Sequence, residues 1–358
     1  MLDVNPEEVF SADYQEARSR FLTAVEQGGG RLSRLARQTD ETGRELFTDI
    51  AWFGHKNPSK ALLLVSGVHG VEGFAGSAVQ LAALNNLPTL QDDTALVVIH
   101  ALNPYGMANL RRFNRNNVDL NRNFHFSDHG WQGEPEGYSE LNKFFNPTRP
   151  PSADFFYFRL FLAWLRFGSA CVRQAVTGGQ YQYPAGLYYG GKGLEPDAAG
   201  YIDWLKDSPL LNISKLMVID FHTGLGPFGG QSLFMRSGSD QREELSRKLD
   251  VAVTPSKTES KTMGYHHGGG SSGVYRQLFS GGELTCLTVE YGTYSGPRML
   301  HALRAENQHH HYGDRSLDHW SKQCLKEAFC PESKDWQRRV VTQGSELIER
   351  SVKYICMP

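Results

Sequence analysis

The chain has 358 residues, 40% of them hydrophobic, and a formal net charge of -2 at pH 7. That length holds one large α/β domain or two ordinary ones, and the composition is that of a folded globular protein. The near-neutral balance removes the electrostatic case for a nucleic acid or an anionic membrane as partner. No apolar stretch is long enough to span a bilayer, and MLDVNPEEVF lacks the basic start and apolar core of a secretion signal, so the expected compartment is the cytoplasm. Cys171, Cys286, Cys324, Cys330 and Cys356 are scattered without CxxC spacing and read as reduced thiols.

In chain order, residues 13–26 place apolar side chains at helical spacing and stop before Gly28-Gly29-Gly30, which predicts a helix outside the sheet. Residues 46–53 predict a strand near a sheet edge, because Thr48 and Asp49 interrupt the apolar run. The turn HKNPSK then suits an antiparallel pairing with the next strand, residues 61–65, an unbroken apolar run of the kind buried in parallel sheets. That strand stops at Ser66-Gly67 and delivers His69 and Glu72 to its carboxyl end, where open α/β sheets usually bind ligands. His-x-x-Glu on a turn can aim an imidazole nitrogen and a carboxylate at one point, which suits a divalent metal of borderline softness, zinc first. Alone it is a weak signal, and a solvated loop is the plainer reading. Residues 74–84 predict a helix running back along the sheet.

Residues 95–100 form a second buried strand and open into ALNPYGMANLRRFNRNNVDLNRNF. This run holds Arg111, Arg112, Arg115 and Arg122 among Asn114, Asn116, Asn117, Asn121 and Asn123. Guanidinium groups grip carboxylates in a bidentate way and Asn adds neutral donors. By itself the run reads as a basic surface loop, but its position after a buried strand puts it on the same sheet edge as His69 and Glu72. From residue 127 to about 209 the sheet pattern is lost, apart from an aromatic-rich helix over 154–177. The Tyr-rich run 181–189 either lines a substrate mouth or packs on its own domain.

Residues 216–221 are a third buried strand, ending at His222, with Asp220 available to orient an imidazole. Residues 233–236 predict a strand and 243–249 a short helix, before a Gly- and Ser-rich loop that opens a helix near Val274 and can close over a ligand. His266 and His267 in that loop are further metal candidates, as are His309, His310 and His311, although the triplet reads as a solvated helix face. Residues 285–290 form the final strand and carry Glu290 to its end, either as a general base or as the ion-pair partner of an arginine. Helices follow at 298–310, 316–326 and 336–354. No repeat or sharp boundary divides the chain, which predicts a single domain over 1–358 with a Pro/Tyr-rich insertion at about 127–209.

HGVE at 69–72, RFNR and NVDLNRNF within 112–124, IDFH at 219–222 and TVEY at 288–291 resemble, in the same order, the zinc metallocarboxypeptidase superfamily. SGVHGVEGFAGSAVQ together with HALNPYGMANLRRFNRNNVDLNRNF is similar to an uncharacterised bacterial branch of it, a domain of unknown function. The resemblance implies an α/β fold of three layers, α/β/α, with a mixed, largely parallel central sheet. It implies zinc held by His69, Glu72 and His222, with Glu290 as general base and acid and Arg112, or else Arg115, polarising the scissile carbonyl. It places Asn121 and Arg122 on the substrate carboxylate and Tyr265 over the site. TGLGPFG after His222 also resembles the succinylglutamate desuccinylase and aspartoacylase relatives. The expected activity is therefore hydrolysis of an amide or peptide bond beside a free carboxylate, in a small peptide or an N-acyl amino acid. Carboxypeptidase is favoured over deacylase, and a non-catalytic carboxylate-binding protein is the reading from another class.

Overall fold

Eight strands form one mixed sheet in the computed structural model, which describes residues 5–127, 129–255 and 269–357. The strands are β1 Arg31–Thr39, β2 Glu45–Gly54, β3 Lys60–Ser66, β4 Thr94–His100, β5 Lys215–Gly224, β6 Gln231–Met235, β7 Val253–Pro255 and β8 Glu283–Gly292. Their order is β1-β2-β4-β3-β5-β8-β6-β7. The contiguous strands β4, β3, β5 and β8 pair in parallel, whereas β1–β2, β2–β4 and β6–β8 are antiparallel.

The apolar runs are unbroken because both faces of the sheet are covered. Leu62, Leu64, Val98, Ile219 and Phe221 face a core shared with helices Tyr14–Gln27, Gly73–Asn85 and Lys334–Cys356. Leu63, Val65, Val97, Ile99 and Val218 face Tyr201, Leu205 and Tyr275 from helices Pro196–Asp207 and Ser272–Leu278. Among the described residues, no helix is long and apolar enough to cross a membrane.

Three expectations need correction. The HKNPSK turn does not join an antiparallel pair: β4 lies between β2 and β3, so β2 pairs with β4 instead. The outer strand β1, with Arg31 and Arg34 exposed, is absent from the sequence reading. The histidine triplet is not a solvated face either. His309 and His310 are buried in helix Gly296–Tyr312, and the His309 ring stacks on His319 at 3.9 Å. Burial, reinforced by the Arg111 charge, keeps His310 below the usual imidazole range and brings His311 down to about 4.

The Arg- and Asn-rich run is ordered from within. Arg111 is fully buried, donating from Nε to Glu306 Oε1 at 2.9 Å, and Lys322 Nζ reaches the same oxygen at 2.7 Å. Its asparagines hold the backbone of the inserted region: Asn117 Nδ2 donates to the carbonyls of Pro184 at 2.9 Å and Gly186 at 3.0 Å, and Asn123 Nδ2 to those of Gly190 and Gly193 at 2.8 Å. The inserted helix Phe156–Thr177 packs on helix Gly296–Tyr312 through Phe156, Leu160, Leu300 and Leu303.

Candidate functional site

The site begins where β3 ends. Gly67 turns the chain with φ of +70°, a conformation that favours glycine, and Gly70 approaches Gly106 so closely that a Cβ would lie 2.1 Å from its carbonyl carbon. The loop is then stitched to the arginine run by backbone bonds from Gly70 N to Arg112 O at 3.1 Å and from Val71 N to Arg111 O at 2.8 Å. Two segments far apart in sequence thereby meet at His69 and Arg112.

His69, Glu72 and His222 are buried, and one ligand atom from each lies within 4.8 Å of the others. His69 Nδ1 is 2.9 Å from Glu72 Oε1, and His222 Nδ1 is 3.2 Å from both Glu72 Oε2 and His69 Nδ1. A tetrahedral zinc with ligands about 2.0–2.1 Å away separates its donors by roughly 3.3 Å, so the spacing fits. The opposite ring nitrogens lie near carboxylates: His69 Nε2 is 3.2 Å from Asp119 Oδ1 and 2.7 Å from Arg112 Nη2, and His222 Nε2 is 3.0 Å from Asp220 Oδ2 without the alignment of a hydrogen bond. Ser271 Oγ donates to the same Asp220 oxygen at 2.6 Å. A carboxylate near the outer nitrogen of each imidazole suits a metal-binding pair, whose rings such groups help to orient.

Burial alone would neutralise Glu72, but His69, His222 and Arg112 more than offset it and hold the carboxyl well below its usual range. Asp119 is likewise held low, against its burial, by Arg112, His69 and Arg122. Arg112 ties the acids together, donating from Nη1 to Glu72 Oε1 at 2.8 Å and from Nε to Asp119 Oδ2 at 3.0 Å. Its guanidinium lies 4.9 Å from the centre of the buried Tyr188 ring.

These groups floor a cavity of about 550 Å³ that also takes in Asn121, Arg122 and Glu290. Glu290 and His222 are register partners on β8 and β5, and Leu225 N donates to Glu290 Oε2 at 3.4 Å. Arg122 donates to the carbonyls of Asn121 and Thr177 at 2.8 and 2.7 Å, and its buried Nε has no hydrogen-bond partner among the described residues. Asn121 Oδ1 accepts from Ser271 N at 3.0 Å. Leu160, Trp164, Val172 and Val176 of helix Phe156–Thr177 form an apolar wall opposite.

Arg115 does not join them. It is exposed and donates to the carbonyl of Thr39 on β1, outside the cavity lining, because Arg112 holds the position beside His69. Tyr265, His266 and His267 lie outside the described residues. Asp119, Tyr188 and Ser271 are the contributors that sequence reasoning missed. Asp119 sits inside the quoted NVDLNRNF run, whereas Tyr188 is one tyrosine among several and has no local signal. The Tyr-rich run is partly wall and partly support: Tyr188 lines the cavity, and Tyr181 donates its hydroxyl to the Arg122 carbonyl at 2.9 Å.

Residues 10–343 match the family model described as "Protein of unknown function (DUF2817)". The chain belongs to that family. A comparison with curated proteins finds no match. Among solved structures, bovine thrombin-activatable fibrinolysis inhibitor, bound to tick carboxypeptidase inhibitor, is 14% identical over 97% of this chain and 98% of its own, with a TM-score of 0.54. Carboxypeptidase A from Helicoverpa armigera is 12% identical over 95% of this chain and 74% of its own, at 0.48. A murein-tripeptide amidase from Escherichia coli O157 is 17% identical over 77% and 91%, at 0.38. The chain has the fold of the zinc metallocarboxypeptidase superfamily, as its motifs imply, and its His69, Glu72 and His222 can hold a metal ion.

Proposed function

We propose that the protein is a zinc-dependent hydrolase of an amide or peptide bond beside a free carboxylate, acting as a metallocarboxypeptidase on small peptides. The observation that carries the reading is the meeting of His69, Glu72 and His222 with Glu290 and Arg122 around one cavity. Zinc bound there would supply Lewis acidity, lowering the pKa of water and polarising a carbonyl.

The chain's own groups divide the remaining work. Arg122, whose Nε has no partner among the described residues, and Asn121 receive the substrate carboxylate. Glu290 takes a proton from the attacking water and returns it to the departing amine. Arg112 keeps Glu72 and Asp119 ionised and places positive charge where the carbonyl oxygen becomes negative. The apolar wall from helix Phe156–Thr177 sets the cleft shape. A second reading, hydrolysis of N-acyl amino acids, is favoured by the TGLGPFG run, whose Gly224 and Leu225 line the cavity beside Glu290.

The test is metal content by plasma emission on protein prepared without chelator or histidine tag, followed by release assays with blocked dipeptides and N-acyl amino acids. About one zinc per chain and chelator-sensitive release are expected, and the preferred substrate separates peptidase from deacylase. Protein that neither carries nor takes up zinc would overturn the reading.

A further inference from the structure

Beside the cavity lies an apolar surface that the fold does not cover. Helix Phe156–Thr177 buries Phe156, Leu160 and Ala163 against its neighbours, yet Phe158 and Leu165 are 61% and 69% exposed. Tyr157, Phe161 and Leu162 are exposed with them, and spacings of three and four residues gather these side chains on one face. Large uncovered apolar patches mark interaction surfaces. Phe155, just before the helix, is 84% exposed at φ of +53°, a backbone conformation that aromatic residues rarely adopt. The patch continues sideways, since the Tyr157 ring stacks on His301 at 5.8 Å and His301 on the exposed Trp320 at 6.3 Å. It also reaches the cavity: Trp164 is exposed and lines the cavity wall. Gly168, with φ of +79°, interrupts the helix, so the apolar segment is about twelve residues or ~18 Å long.

The charge around this segment says what covers it. Residues 155–177 contain Arg159, Arg166 and Arg173 and no acidic residue. Arg159, partly exposed, and the buried Arg304 both bond Asp154. Arg166 is exposed beyond them. Glu136 and Glu140 act on Cys171 near the far end of the helix, beyond Gly168, so among the described residues the cations stand without acidic neighbours other than Asp154 only along its first three turns. Aromatic and Leu side chains on one face with arginines at the margins are the pattern of a helix lying in a lipid headgroup region. A second copy of the chain fits less well, because a two-fold contact through this face would set Arg159 and Arg166 against their like-charged counterparts.

We propose that the Phe155–Leu165 face docks the protein on an anionic lipid surface, setting the mouth of the cavity against the bilayer. The proposal stands apart from the chemistry assigned above.

The test is flotation of the full-length protein with vesicles of phosphatidylcholine, with and without phosphatidylglycerol, alongside sedimentation velocity without lipid. The protein is expected to float with the anionic vesicles. Phe158→Asp and Leu165→Asp, both at exposed positions, should each lower the partition coefficient about tenfold or more while circular dichroism is unchanged. Arg166→Glu should lower binding several-fold to anionic vesicles only. No flotation, or flotation untouched by these substitutions, would overturn the proposal. So would a lipid-free dimer that Leu165→Asp dissociates in protein that does not float.

Discussion

Glu290 stands beside His222, its register partner on the adjacent parallel strand, so the two side chains leave the same face of the sheet at its carboxyl edge. A carboxylate in that position can exchange protons with groups in the cavity without belonging to the metal set. Glu290→Gln keeps the shape and removes the base. The turnover rate is expected to fall about 10²–10⁴-fold with zinc content unchanged, measured by emission spectroscopy and steady-state kinetics on the same sample. Retained turnover would remove Glu290 from the chemistry.

Asp119 faces the outer nitrogen of His69 at 3.2 Å and takes a bond from Arg112. Asp119→Asn leaves the ligand atoms in place but weakens the orientation of the ring. Zinc affinity should drop about 10–100-fold, read by competition with a chromophoric chelator, with thermal unfolding of the apoprotein as control. Unchanged affinity would mean that the loop geometry alone fixes His69.

Among the described residues, the buried Nε of Arg122 has no hydrogen-bond partner. Replacing it with Gln should raise KM for a free-carboxylate substrate about 10–100-fold, the worth of a charge-assisted hydrogen bond. The variant should also lose the preference for that substrate over its amide. If both substrates suffer equally, Arg122 is structural.

Asp197 titrates away from the candidate metal site. Burial raises its carboxyl from 3.8 to about 7, against a hydrogen bond from Asn114, with Glu195 adding to the rise and Gln38 opposing it. Between about pH 4 and pH 7 the folded protein then holds more of this proton than the unfolded chain, so the contribution to stability falls as pH rises through that window. Asp197→Asn should remove this slope and be the more stable form at pH 8, by at most about 4 kcal/mol. Urea midpoints at pH 5 and pH 8 decide it, and an identical pH dependence in both proteins would sink the assignment.

Arg111 tests the buried network. Arg111→Met leaves Glu306 fully buried with Lys322 as its remaining cation. A loss of about 3–5 kcal/mol is expected, measured by denaturant unfolding. A change near zero would show that Lys322 alone compensates.

Strands β3, β4, β5 and β8 were legible because a strand covered on both faces must be apolar throughout, and the residues that break such a run announce the sheet edge. His69 and Glu72 follow the break at Ser66-Gly67, and His222 and Glu290 are the polar residues near the carboxyl ends of β5 and β8. What escaped depends on contacts distant in sequence. β1 offers Leu32 and Leu35 among charged residues, and only its pairing with β2 makes it a strand. The histidine triplet looks solvated until residues 313–319 return and stack His319 over His309. Arg112 and Arg115 are equivalent as letters, and the backbone bond from Gly70 to Arg112 decides which one meets the metal set.

The asparagines of the arginine run make the floor of the site the scaffold for its own walls. Asn117 and Asn123 grip carbonyls of the inserted region, while Thr177, at the end of the apolar helix, holds Arg122. The insertion is therefore not a removable cassette. A graft that exchanged residues 127–209 for the loop of another fold member would release Arg122 along with the cleft wall. A change in the floor of the site is therefore also a change in the anchorage of its wall.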